Sequence, residues 1–189
     1  MPNKNAPAGF KVVGDFAGAV TEQTRQYFIP ATDATATFVG DIVKLTGESN
    51  ADGVPIVTTV TAVSDVPVGV VVGFLADPDN LKLRHRPAST ARYALIVDNP
   101  QVVMEVQATG ATGTGAPGSN VQISLAVAGS AVTGQSGEQV DSATIATTAT
   151  HGFKIVGFPQ RVDNDIASNN AKVLVQFNRH QFANQVAGV

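Results

Sequence analysis

Cysteine is absent from the 189 residues, so no disulfide, thiol nucleophile or Cys-ligated zinc can be built. Tryptophan is absent too, and tyrosine occurs only at Tyr27 and Tyr93, which leaves little aromatic surface for stacking on sugar rings. Charge is scarce: Asp, Glu, Lys and Arg make up 14% of the chain, against roughly 25% in an ordinary soluble domain. Twelve basic residues and a net charge of −3 leave no basic run longer than Arg84-His85-Arg86. Nucleic-acid binding needs several clustered phosphate contacts, so no such partner is expected. The start, MPNKNAPAGF, has no apolar signal core. The longest strongly apolar run, Val66 to Ala76, falls short of the about 20 residues that span a bilayer. These absences imply a soluble protein made in a cytoplasm, without a membrane partner.

What is present is a succession of short strand signals. Phe10 to Val13 ends at Gly14-Asp15, and Gln26 to Ile29 ends at Pro30. Thr35 to Leu45 is interrupted at Gly40-Asp41, and a turn over Glu48 to Gly53 follows. Ile56 to Val63 alternates apolar residues with Thr, whereas Val68 to Leu75 is nearly all apolar, the pattern of a strand buried on both faces. Tyr93 to Val97 and Val102 to Gln107 flank Asp98-Asn99-Pro100; proline cannot join a ladder, so this is a tight connection or a jog at a sheet edge. Val121, Ile123, Leu125 and Val127 alternate with small or polar residues, and Phe153 to Phe158 and Lys172 to Phe177 complete the set. No apolar stripe of helical period extends beyond two turns. The expected fold is all-β, a single-domain β-sandwich or a jelly-roll or barrel-like body over residues 10–189. Residues 1–9, with Pro2 and Pro7, read as an extended N-terminal arm. Residues 106–137 carry no charge and are Gly-rich near 107–120, which suits either a flexible loop or one that orders only against a neighbouring subunit.

No catalytic, cofactor or metal site emerges. Gly113-Thr-Gly115-Ala-Pro-Gly118 has dinucleotide-loop spacing, but an alternating strand follows it where a phosphate-binding helix is required. Glu48 to Gly53 resembles half of a calcium loop, but Thr59 stands where the bidentate Glu belongs. His85, His151 and His180 are far apart and without ligand-spaced partners; Arg179 beside His180 disfavours its protonation. Asp163 and Asp165 sit among asparagines, as in a solvated turn.

Read in order, several stretches resemble a family of tailed-bacteriophage virion proteins that decorate or cement the head. They are Asn5-Ala-Pro-Ala-Gly-Phe10, Phe38 to Leu45, Pro67 to Phe74, Tyr93 to Gln107, Ala126 to Gly134, Glu138 to Asp141, Arg161 to Asp165, Asn170 to Val175 and Asn178 to Gln181. The resemblance implies a non-enzymatic, β-rich homotrimer on the outer surface of the capsid near three-fold positions, with the major capsid protein as partner. It implies no cofactor. The low charge fits a surface buried twice, in the oligomer and on the shell. Within this reading Asn5, Ala6, Pro7, Ala8 and Gly9 of the arm are the expected capsid or subunit contact. The two strands around Asp98-Asn99-Pro100 are expected to lie in one sheet. The rival readings are a carbohydrate-binding β-sandwich used for host adhesion and a hydrolase with carboxylates assembled in space.

Overall fold

The computed structural model describes residues 3–16 and 23–183. They form eleven strands and no helix: an all-β fold. In chain order these are β1 (Lys11–Asp15), β2 (Arg25–Ile29), β3 (Ile42–Ser49), β4 (Pro55–Thr59), β5 (Gly69–Phe74) and β6 (Arg92–Val97), then β7 (Val102–Gln107), β8 (Asn120–Ser124), β9 (Gln139–Ala146), β10 (Phe153–Gly157) and β11 (Lys172–Phe177). Strands β2 to β6 close a barrel in the order β2-β4-β3-β5-β6. The others make a six-stranded sheet, β1-β7-β11-β10-β8-β9. A parallel bridge between Ala108 and Val140 curls the β9 end of this sheet back toward the end of β7.

Adjacent apolar residues on the barrel wall are divided between two cores. Side chains alternate faces along a strand. Val43, Val71 and Ile96 therefore point into the barrel with Tyr27, Ile29 and Val57. Their neighbours Ile42, Val70 and Val97 point out, onto Met104, Phe153, Ile155 and Val175 of the sheet. This accounts for the apolar run starting at Val68: its first residues have no wet face to serve. From Val72 onward the strand becomes half-exposed, and Leu75 is exposed.

The strands on either side of Asp98-Asn99-Pro100 do not share a sheet, contrary to expectation. β6 belongs to the barrel and β7 to the sheet, so the turn carries the chain from one layer to the other. Its side chains are held from both directions. The Asp98 carboxylate accepts the Tyr27 hydroxyl at 2.8 Å and pairs with Arg25, both on the barrel. Asn99 reaches Asp15 at the end of β1, and its Oδ1 accepts the Gln101 N–H. Pro100, without an N–H, adds no claim to either ladder.

Two other expectations change, and one strand carries no sequence signal. Residues 35–41 are irregular, touching only single bridges from Thr37 to Arg86 and Val39 to Gln135, and β3 begins at Ile42. The strand signals of 56–63 and 121–127 end early, at Thr59 and Ser124. β9 is a strand with no apolar alternation to announce it; it is recruited by β8, with Val140 opposite Ile123.

Gly69 marks the tightest point of the barrel wall. A Cβ there would lie 2.4 Å from the Val97 carbonyl oxygen and 2.6 Å from Ile96 Cγ2. Gly69→Ala is expected to cost about 1–3 kcal/mol as an overpacked site. Gly14→Ala, where a Cβ meets nothing within 4 Å, should not destabilise. Urea midpoints of the two variants check this; equal midpoints would contradict the packing argument.

Candidate interface and the carboxyl pair beside it

The described part of the expected arm, residues 3–9, forms no strand and lies against the chain's own body. Asn3 Nδ2 donates to the carbonyls of Asp165 and Asn169 at 2.7 and 3.0 Å, and Asn3 Oδ1 accepts the Asp165 N–H. Gln107, buried at the end of β7, holds the next residues: its Oε1 accepts the Ala6 N–H at 3.0 Å and its Nε2 donates to Asn5 Oδ1 at 2.8 Å. The stretch is thus a fixed strip. Asn5, Ala6 and Ala8 are exposed, Pro7 is half-buried and Gly9 is buried. Met1 and Pro2 fall outside the described residues.

Gly9 has a structural reason to be glycine. Its φ is +70°, and a Cβ would meet Ser136 Cβ at 2.5 Å and the Gly40 carbonyl oxygen at 2.6 Å. The next residue, Phe10, donates its N–H to Gly40 at 2.9 Å and stacks its ring on Phe153. The strip is therefore pinned where the barrel meets the segment entering β9.

At that junction two acidic side chains are buried: Asp41 is 5% exposed and Glu138 7%. Asp41 Oδ2 accepts the Phe38 N–H at 2.7 Å, and Ser136 hydrogen-bonds the same carboxyl. Glu138 Oε2 accepts the Ile42 N–H at 2.8 Å, the first donor of β3. Burial pushes Asp41 up to about 6, against the two hydrogen bonds that favour its charged form. Burial, reinforced by repulsion from Asp41, raises Glu138 well above the ordinary carboxyl range. A groove of about 410 Å³ opens beside the pair, lined by Phe38, Thr59, Leu125 and Val127 among others.

The motifs set aside in the sequence occupy ordinary positions. Gly113 to Gly118 is a loop that ends with the Gly118 N–H on the Ile155 carbonyl, and β8 follows it directly. Asn50 Oδ1 accepts the N–H groups of Asp52 and Val54, so Glu48 to Gly53 is the hairpin turn between β3 and β4. His85 stacks on Phe38, and His180 is buried against Phe177. The His180 pKa falls to about 4, and burial, not Arg179, is the cause. Asp163 and Asp165 lie in the loop before β11, where Arg161 pairs with Asp163 and with Glu105 of β7. Among the described residues no three His, Cys, Asp or Glu side chains group to hold a metal ion. Sequence reading missed Asp41 and Glu138, whose only signal is an isolated acid beside a glycine in each case.

The chain matches no family model and no curated protein sequence.

Proposed function

We propose that the chain is a non-enzymatic virion structural protein of a tailed bacteriophage. It sits as a homotrimer on the outer surface of the head near three-fold positions and braces the shell of the major capsid protein. It is made in the host cytoplasm and carries no cofactor. The observation that supports this reading best is the N-terminal strip: Asn5, Ala6 and Ala8 face solvent on a backbone already fixed by Gln107 and the 165–169 loop. A preordered strip can lie along a neighbour without the entropy cost of ordering a free tail. The charge-poor composition suits a body covered by other subunits. The ordered descent of short stretches that resemble the head-decoration family supplies the trimer and the three-fold site. The sugar-binding alternative gains nothing: Tyr27 is buried in the barrel and Tyr93 packs on Phe28 with its hydroxyl bonded to Asn50.

Removing residues 1–7, which spares Gly9 and Phe10, is expected to leave a trimeric mass by light scattering and a cooperative melt. The Kd for expanded heads, taken from occupancy counted by electron microscopy across a titration, should rise by about tenfold, the loss of roughly 1.4 kcal/mol of docking energy. Unchanged occupancy would remove the strip from the interface. A full-length protein that is monomeric at micromolar concentration would remove the trimer.

A further inference from the structure

The Asp41–Glu138 pair spans the boundary between the two layers. Asp41 immediately precedes the barrel strand β3, and Glu138 immediately precedes the sheet strand β9. The bond from the Ile42 N–H to Glu138 therefore ties the first donor of the barrel wall to a side chain of the sheet. Among the described residues neither carboxyl has a cationic partner. The segments around them, 35–38, 59–61, 125–129 and 134–137, contain no charged residue. Lys44, on the same strand as Ile42, is committed to Asp65 at 2.8 Å. Two buried acids that repel each other, with no ion-paired cation although His85 stacks on Phe38 and Arg84 borders Gly134, cannot both hold a charge cheaply.

We infer that Asp41 and Glu138 form a proton-held latch, closed across the barrel–sheet junction while protonated and released when both carboxyls ionise. The same junction holds the N-terminal strip. Ser136, which bonds Asp41, also touches the position where a Gly9 side chain would stand, and its N–H is held by Val39 at 2.8 Å. Gly40, next to Asp41, accepts the Phe10 N–H. Opening the latch therefore loosens Gly9 and Phe10 first.

The sign of the pH effect follows from the raised values. In the unfolded chain both groups titrate near 4. Folded, Asp41 holds its proton to about 6, and burial raises Glu138 well above the ordinary carboxyl range. The stability they contribute is complete below about pH 4 and drains away as pH rises through the folded values. His180 acts in the opposite direction and lower: its folded value near 4 costs stability only as pH falls below about 6.5. Above about pH 6.5 His180 no longer contributes, and the raised carboxyls set the direction of the change.

The experiment compares wild type with Glu138→Gln, which keeps an oxygen for the Ile42 N–H and removes the charge, by amide exchange and thermal melting from pH 6 to 9. After correction for the intrinsic rate, exchange at Ile42 and Phe10 is expected to rise by at least about tenfold in wild type, the equivalent of one displaced pKa unit. In the variant it should stay flat. The wild-type melting point should fall across the range while that of the variant does not. Asp41→Asn, which removes the repulsion but not the burial that raises Glu138, should move the rise to lower pH, which keeps the test open if Glu138→Gln folds poorly. Parallel profiles in wild type and both variants would overturn the latch, as would a variant destabilised equally at every pH.

Discussion

Arg86→Ala is expected to lower the unfolding free energy by about 3–5 kcal/mol, the scale of breaking a buried charged network. Arg86 is fully buried and donates to four backbone carbonyls: Nε to Thr90 at 2.7 Å, Nη2 to Pro30 and Asp33 at 2.7 Å each, and Nη1 to Thr35. The Asp33 carboxylate stands 3.8 Å away and partly offsets the burial that lowers the guanidinium's pKa. The planar fork of an arginine can serve several acceptors at fixed angles, which a lysine ammonium on a single flexible stem cannot. In the alanine variant the four carbonyls lose the guanidinium, although Pro30 and Asp33 still accept the Asp33 and Ser89 N–H groups, and the loops at 30–37 and 86–90 lose the post that holds them together. Arg86→Lys should recover less than half of the loss. Denaturant unfolding followed by the near-ultraviolet tyrosine signal, from Tyr27 in the barrel interior and Tyr93, reads the effect. A cost below about 1 kcal/mol would mean that water replaces the guanidinium without strain.

That arginine also shows where a sequence stops being readable. Arg84-His85-Arg86 looks like a surface basic cluster, and Arg86 is instead the most deeply buried cation of the chain. Nothing local distinguishes it, because its acceptors come from residues 30–35, some fifty positions earlier, as well as from Thr90. The acidic pair is hidden for the same reason, with Glu138 capping a strand that starts 96 residues before it. Strands, by contrast, leave local marks. Val68 to Leu75 reads as a two-sided strand, which holds for its first residues through Val71 and not for Val72 to Leu75, and Lys172 to Phe177 reads as a strand and is one. Asp98-Asn99-Pro100 was legible as a break but not as a change of layer: Asn99 makes the local bond to Gln101 that a turn requires, while Asp98 bonds at long range to Tyr27. β9, rich in Thr, Ser and Ala, owes its form to pairing with β8, and pairing is not written in one strand alone.

Phe153→Ala should cost about 3–5 kcal/mol, as large aromatic truncations in closed cores do. The ring of Phe153, 2% exposed, is stacked on Phe10 with centroids 4.7 Å apart and tilted against Phe177 at 5.6 Å. Three elements meet there: the residue that follows the N-terminal strip, the middle of the sheet at β10, and the end of β11. Phe153 also pairs in register with both Val121 and Phe177, so its neighbours on either side are backbone-fixed and cannot close over the space it leaves. The cavity term is therefore added to the lost transfer energy and is not relieved by collapse. A double-mutant cycle with Phe10→Ala isolates the stacking, which should appear as a coupling of about 0.5–1.5 kcal/mol. The same variant carries a second, local signature. With Phe10 unstacked, its N–H bond to Gly40 and its other core contacts must hold it, and proteolysis should reach residues 3–9 faster in Phe153→Ala than in a distant core variant of similar cost such as Ile29→Ala, whose side chain lies in the barrel. Additive single-variant losses, or equal cleavage rates in the two proteins, would show that Phe10 is held by its backbone and that the aromatic stack does not anchor the strip.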